Sequence, residues 1–179
     1  LTNTVTVTVN PAATVTPGSA LNSCQSATPA AITLSGASVG GGATTGAWSI
    51  TAGGGTLSST AQTATPGSVT YTPAANYSGT VTLTLTTNDP AGPCGNVAAT
   101  RTITLNALPA NSTPTAASSI VCSGTGTNIQ IATSEIGVNY QLRNNTGNVA
   151  VGSPVAGTGG SINLPTGNLT AATTFNVLA

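Results

Sequence analysis

The chain has 179 residues, a formal net charge of zero and only four charged side chains, Asp89, Arg101, Glu135 and Arg143, with no His, Lys or Met. Two arginines cannot form the basic stripe of a nucleic-acid binder or the Lys/Arg cluster that holds a protein to an anionic membrane surface. A serine nucleophile would have neither His nor Lys as its base, and no run of about 18 apolar residues encodes a membrane-spanning helix.

What remains is Thr, Ala, Gly, Ser and Asn laid out with period two. From Thr4 to Val9 the chain alternates Thr with Val, and residues 1–11 are expected to be the last strand of a preceding repeat. A complete domain is expected over 12–109. It opens with a short strand within 14–24, followed by strands over 30–36, 46–51, 56–59, 67–72, 79–87 and 97–106. Gly40–Gly42, Gly53–Gly55 and Asn88–Pro93 supply turns between them. Alternation places aliphatic residues on one sheet face and Thr on the other. Thr suits the wet face, being β-branched and hydroxyl-bearing. A second domain over 110–179 repeats the pattern at Ile129/Ile131, Val138–Leu142, Val149/Val151, Ile162/Leu164 and Phe175/Val177, without a final strand.

Thr4–Asn10 aligns with Thr100–Asn106, and each stretch is followed by an Ala/Pro-rich connector and then a cysteine, Cys24 or Cys122. A spacing near 100 residues with seven short strands per repeat predicts an all-β fold of tandem immunoglobulin-like Greek-key β-sandwich domains. Because Leu1 falls inside a strand pattern, the chain is expected to be a piece of a longer one. Large core residues are few: Trp48, Phe175, Tyr71, Tyr77 and Tyr140. A core this thin points to a covalent staple.

The staple expected is a Cys24–Cys94 disulfide, which would close a loop of about 70 residues and contribute about 2–4 kcal/mol. Free buried thiols are the alternative. The bridge places a demand on the fold, since Cys94 precedes the last strand and Cys24 must reach it from the entering segment. Cys122 is expected to pair with a cysteine beyond residue 179. Three cysteines without His match no zinc spacing, and no cofactor is expected.

Trp48 is read as a core tryptophan rather than a sugar-stacking platform, with Tyr140 as its counterpart in the second domain. Tyr77, within Asn76-Tyr77-Ser78-Gly79, is read as a tyrosine corner rather than a ligand contact. Asp89 is expected to cap a turn, because calcium needs six or more oxygens and the second acid lies a domain away. Arg101 is placed on an exposed strand edge, and Glu135 and Arg143 in a weak surface pair. Glycosidase chemistry would need two carboxyls about 5–10 Å apart, and an isopeptide cross-link would need Lys. Four Asn-x-Ser/Thr matches, at Asn76, Asn111, Asn144 and Asn168, are expected by chance in a chain so rich in Asn and Thr.

Four stretches carry a resemblance. Val69–Val81 resembles the strand–corner–strand of bacterial Ig-like and cadherin-like surface repeats. Tyr140–Asn145, Val151–Gly160 and Leu169–Val177 resemble the Ig-like/PKD-like tandem repeats of giant Bacteroidetes cell-surface adhesins, including gliding-motility adhesins of the SprB type. The resemblance implies export by type IX secretion, display outside the cell, and contact with glycans or solid surfaces, neighbouring repeats and the secretion or motility machinery. It implies no catalytic residues. The expected function is therefore a stalk-like, adhesive repeat segment of a secreted adhesin, with its short Ala/Pro connectors giving a semi-rigid rod. Direct glycan binding is the alternative, and ice binding through Thr ladders a third reading.

Overall fold

A computed structural model describes residues 3–179. The chain divides into two compact units, Leu1–Leu108 and Pro109–Ala179. Apart from one 3-10 turn, the regular structure described in both is β-strand, and no helix among the described residues is long and apolar enough to cross a membrane.

The first unit contains nine strands: β1 (Ala13–Thr16), β2 (Leu21–Cys24), β3 (Ile32–Thr33), β4 (Ser38–Gly41), β5 (Gly46–Ala52), β6 (Thr56–Leu57), β7 (Thr70–Thr72), β8 (Gly79–Thr87) and β9 (Ala98–Asn106). One sheet has the order β2-β9-β8-β5, another β3-β7-β6, and β1 pairs with β4. β2 runs parallel to β9, and the other pairings are antiparallel. This is the Greek-key order of an immunoglobulin-like sandwich. The long hairpin partners β8 and β9 form because each alternates strictly. Val81, Leu83, Leu85, Ile103 and Leu105 are buried, while Thr fills the positions between them. The inward residues meet Leu34, Trp48, Val69 and Tyr71 in one core cluster.

The leading strand differs from the expectation. It splits into β1 and β2, which belong to different sheets, and Pro17-Gly18 turns the chain between them, with Gly18 at φ +83°. The segment Gly40–Gly42, expected as a turn, supplies the end of β4 because Gly40 and Gly41 pair with Thr14 and Ala13. Residues 3–10 pair with no strand, and Val5, Val7 and Val9 are exposed.

The second unit contains β10 (Thr115–Ala116), β11 (Asn128–Ile131), β12 (Asn139–Asn144), β13 (Val149–Ala150), β14 (Val155–Ala156), β15 (Ile162–Pro165) and β16 (Phe175–Leu178). One sheet is β10-β11-β15. In the other, β12 pairs with β13 and β14 and with β16. Their inner faces enclose Ile129, Ile131, Tyr140, Leu142, Ile162 and Leu164. β11, β12, β13, β15 and β16 fall on the apolar segments of the sequence, whereas β10 and β14, two residues each, are not among them.

Candidate functional site

The outer face of the β2-β9-β8-β5 sheet is the largest regular chemical feature of the first unit. Alternation sends every second residue of β8 and β9 outward, and antiparallel register sets them opposite one another: Thr80 faces Thr104, Thr82 faces Thr102 and Thr84 faces Thr100. β5 extends the array, with Thr51 Oγ1 at 3.1 Å from Thr84 Oγ1 and at 3.1 Å from the Thr82 carbonyl, to which it donates. The face is neutral and hydroxyl-rich. It presents acceptors and donors to water but no group that titrates near neutral pH.

Aromatic side chains do not contribute to this face. Trp48 is 1 % exposed and its indole Nε1 donates to the Pro66 carbonyl at 3.0 Å. Pro66 opens a single 3-10 turn, Pro66–Ser68, so the tryptophan ties that turn to β5. Tyr140 is equally buried in the second unit, where its Oη accepts from the Glu135 N–H at 2.8 Å.

Tyr77 packs against the core rim, and its Oη reaches the Thr80 carbonyl only at 3.4 Å, a weak bond. The locking role falls to Tyr71, which sequence reasoning missed. It is fully buried on β7 and its Oη donates to the Gly54 carbonyl. Gly55 makes room for it: a Cβ there would lie 2.7 Å from the phenol oxygen, at a backbone φ of +114°. The signal in the sequence was the run Gly53–Gly55 followed, on the partner strand, by an aromatic at an inward position.

Burial raises the Tyr71 phenol above its ordinary value, with a smaller contribution from Tyr77. A raised folded value means the unfolded chain gives up this proton first. The neutral phenol therefore contributes its full stability below about pH 10, and that contribution is lost as pH rises through the folded value. Thermal unfolding between pH 9 and pH 12 is expected to show a fall in Tm for the parent protein. Tyr71→Phe should start about 1 kcal/mol lower from loss of the hydrogen bond and fall less steeply.

The four charged residues are dispersed, and all four depart from expectation. Arg101 is not on an exposed edge. It is 3 % exposed, in the inward register of β9, and Nη1 donates to the Ser35 carbonyl at 3.0 Å and the Pro17 carbonyl at 3.4 Å. Its Nε has no partner. Desolvation lowers the guanidinium from its ordinary value, which still leaves a cation. Glu135 and Arg143 do not pair with each other: the Glu135 carboxylate accepts from the Ala110 N–H at 2.6 Å, and Arg143 Nε donates to Asn176 Oδ1 at 3.1 Å.

Asp89 is exposed, and the turn is held instead by its neighbour. Asn88 Oδ1 accepts from both the Thr44 and Thr45 N–H groups at 2.9 Å. Asn88→Ala should therefore lower the stability of the first unit by about 1–2 kcal/mol, while Asp89→Ala stays within about 0.5 kcal/mol of the parent in urea unfolding.

The expected disulfide is absent. Cys24 ends β2 alongside Asn106, the last residue of β9, while Cys94 lies before Ala98, the first residue of that strand. The two cysteines are therefore separated by the length of β9, about 26 Å at the usual rise per residue. A bridge needs Cα atoms within about 7 Å. Cys94 Sγ instead approaches the Asn10 carbonyl at 3.5 Å, and all three cysteines are free, with Cys24 and Cys122 exposed. Cys24→Ser and Cys94→Ser, like added reductant, should leave the Tm of the first unit unchanged within error.

No group of three or more His, Cys, Asp or Glu side chains capable of holding a metal occurs among the described residues. No protein-family model and no curated protein matches the chain. Among solved structures it is similar to the titin domains Z1Z2 in complex with telethonin. Identity is 13 %, 95 % of each chain is covered and the TM-score is 0.35. A likeness at that level decides nothing, and the immunoglobulin-like fold rests on the chain's own strand order.

Proposed function

We propose that the chain is a structural, adhesive repeat segment of a long secreted cell-surface adhesin, acting as a stalk. The observation that carries this reading is the disposition of its reactive groups. Trp48, Tyr71 and Tyr140 are inside, Arg101, Glu135 and Arg143 are each engaged in local hydrogen bonds, and the broad sheet face offers mainly Thr hydroxyls, with the amides of Asn22 and Asn106 and the Cys24 thiol at its β2 end. Such a surface is nearly indifferent to salt, because there is little charge to screen. It also lacks the exposed aromatic platforms on which sugars stack. The resemblance of its repeats to gliding-motility adhesins supports placement outside the cell, with attachment or motility as the role of the parent assembly.

Glycan binding by these units is the competing reading. A glycan array probed with residues 1–179 separates the two. The stalk reading expects no specific signal, and saturable binding to a defined sugar would replace it. Ice binding would use the Thr ladders of β8 and β9, but neighbouring strands rotate by about 20–25° and turn the ladder away from a flat lattice. Thermal hysteresis is expected to be absent. Antibody raised against the fragment should label intact, unpermeabilised cells of the source, and labelling only after lysis would overturn the extracellular placement.

A further inference from the structure

Cys24 and Cys94 stand at opposite ends of the first unit, and the repeat brings those two ends onto one residue. At the exit end, Cys24 lies beside Asn106 in the parallel pairing of β2 with β9, and the Asn106 carbonyl accepts from the Gln25 N–H at 2.7 Å. At the entry end, Cys94 Sγ lies 3.5 Å from the Asn10 carbonyl. Asn10 is the counterpart of Asn106, because Thr4–Asn10 aligns with Thr100–Asn106. One backbone position is therefore approached by Cys94 where a unit begins and by Gln25, the neighbour of Cys24, where a unit ends.

The loop that carries Cys94 is fitted to this entry segment. Gly92, at φ +97°, lies so close to Asn10 that a Cβ would overlap its side-chain amide. Pro90 closes on Pro11 from the other side, with Gly42 between them. Cys24 is exposed and Cys94 half-buried, and neither has a partner among the described residues. A carbonyl oxygen has two lone pairs, so the Asn10 oxygen can hold the Cys94 sulfur and a Gln25-type N–H at once. Neighbouring strands lie about 4.8 Å apart, which brings the cysteine beside that N–H close to Cys94, the approach that a bridge requires.

We infer that Cys94 forms a disulfide across the repeat boundary with the Cys24 counterpart of the unit before residue 11, a pairing that rests on the reading of the chain as a segment of a longer tandem array. The two thiols give up two protons and two electrons to a disulfide-donating oxidant of the secretory route, whose own S–S bond breaks to a dithiol as the new one forms. The bond reinforces a boundary otherwise crossed by one backbone strand, at Asn10 and Pro11. The length of β9, which forbids a Cys24–Cys94 bridge within one unit, is what sets one cysteine at each end of it.

In the parent protein purified from its cells with free thiols blocked, non-reduced peptides containing Cys94 are expected to be joined to a peptide from upstream of Leu1 and to separate from it on reduction. Cys94 recovered blocked, or bonded to another cysteine of residues 1–179, overturns the inference. A parent without a unit before residue 11 overturns the tandem reading as well, whereas one that has the unit and a blocked Cys94 overturns this inference alone.

A duplicated chain fixes the pairing. Residues 12–106 are placed ahead of residues 11–179, so that Asn106 of the added copy takes the place of Asn10, and Cys122→Ser removes the remaining thiol. With Cys94→Ser in the first copy and Cys24→Ser in the second, oxidised glutathione should give an internal bridge. With the two substitutions exchanged between copies, both thiols should stay free. Equal bridging in the two chains overturns the pairing, as does no bridging in either while the fluorescence of both Trp48 side chains reports a folded protein.

Discussion

Replacing Trp48 with Ala is expected to lower the stability of the first unit by about 3–5 kcal/mol, the usual range for deleting a large buried aromatic. Two losses combine. The side chain is the largest in a core otherwise assembled from Leu, Val, Ile and two tyrosines, so its removal opens a cavity that small β-branched neighbours cannot collapse to fill. It also leaves the Pro66 carbonyl without the indole donor, and with it the tie between β5 and the 3-10 turn that leads into β7. Trp48→Phe separates the two effects. It retains most of the packing and should cost about half as much, with the lost hydrogen bond and the residual gap as the remaining terms. Urea unfolding followed by far-UV circular dichroism measures both variants. A cost for Trp48→Ala below about 1 kcal/mol would show that the tryptophan is not a core residue in solution.

Arg101→Ala should rank second, at about 2–4 kcal/mol. The guanidinium donates to the carbonyls of Pro17 and Ser35. Pro17 lies in the crossing where the chain leaves β1 for β2, and Ser35 in the turn between β3 and β4. The residue on β9 therefore joins the entry segment and the opposite sheet to the last strand. Gly18 is shaped to this contact: a Cβ there would stand 3.0 Å from Nη1 and 2.9 Å from the Ser35 oxygen. Truncation leaves both acceptors unpaired in a site where the arginine itself is 3 % exposed.

Arg101→Met tests a different consequence of the same geometry. No acid neutralises the cation, and its Nε lacks a partner, so its desolvation is only partly offset. Methionine keeps the stem packed and removes the charge, and its cost should be smaller than that of alanine. Trp48 is the sole tryptophan, so its fluorescence reports the unfolding of the first unit alone in these variants. Equal losses for Arg101→Ala and Arg101→Met would assign the effect to the hydrogen bonds. A larger loss for Met would contradict the packing argument.

The positions of the long strands were legible because their alternation is strict. Thr80–Thr86 and Thr100–Leu105 show which residues face inward before any contact is known, and the same rule already placed Arg101 with Ile103 and Leu105. Assigning that arginine to an edge followed its charge instead of its register. Trp48 could be assigned to the core from the scarcity of other large side chains. Asn88 could not be picked out, since its role depends on Thr44 and Thr45, residues distant in sequence that folding brings within hydrogen-bond reach; Tyr71 was legible as a core aromatic, but its bond to the Gly54 carbonyl depends on the same kind of long-range approach.

Composition and period by themselves determined an all-β chain of small, neutral strands with Thr outside, because side-chain alternation is a local property of an extended backbone. Which cysteines could meet, where the buried arginine anchors and how the first strand divides between two sheets were decided only by tertiary structure. Those features depend on the order of strands in a sheet and on which end of the sandwich each loop reaches. The Thr-Val run at the start of the chain shows the division plainly. Its pattern marks it as a strand, but a strand is held by hydrogen bonds to a neighbour, and local sequence does not specify which one.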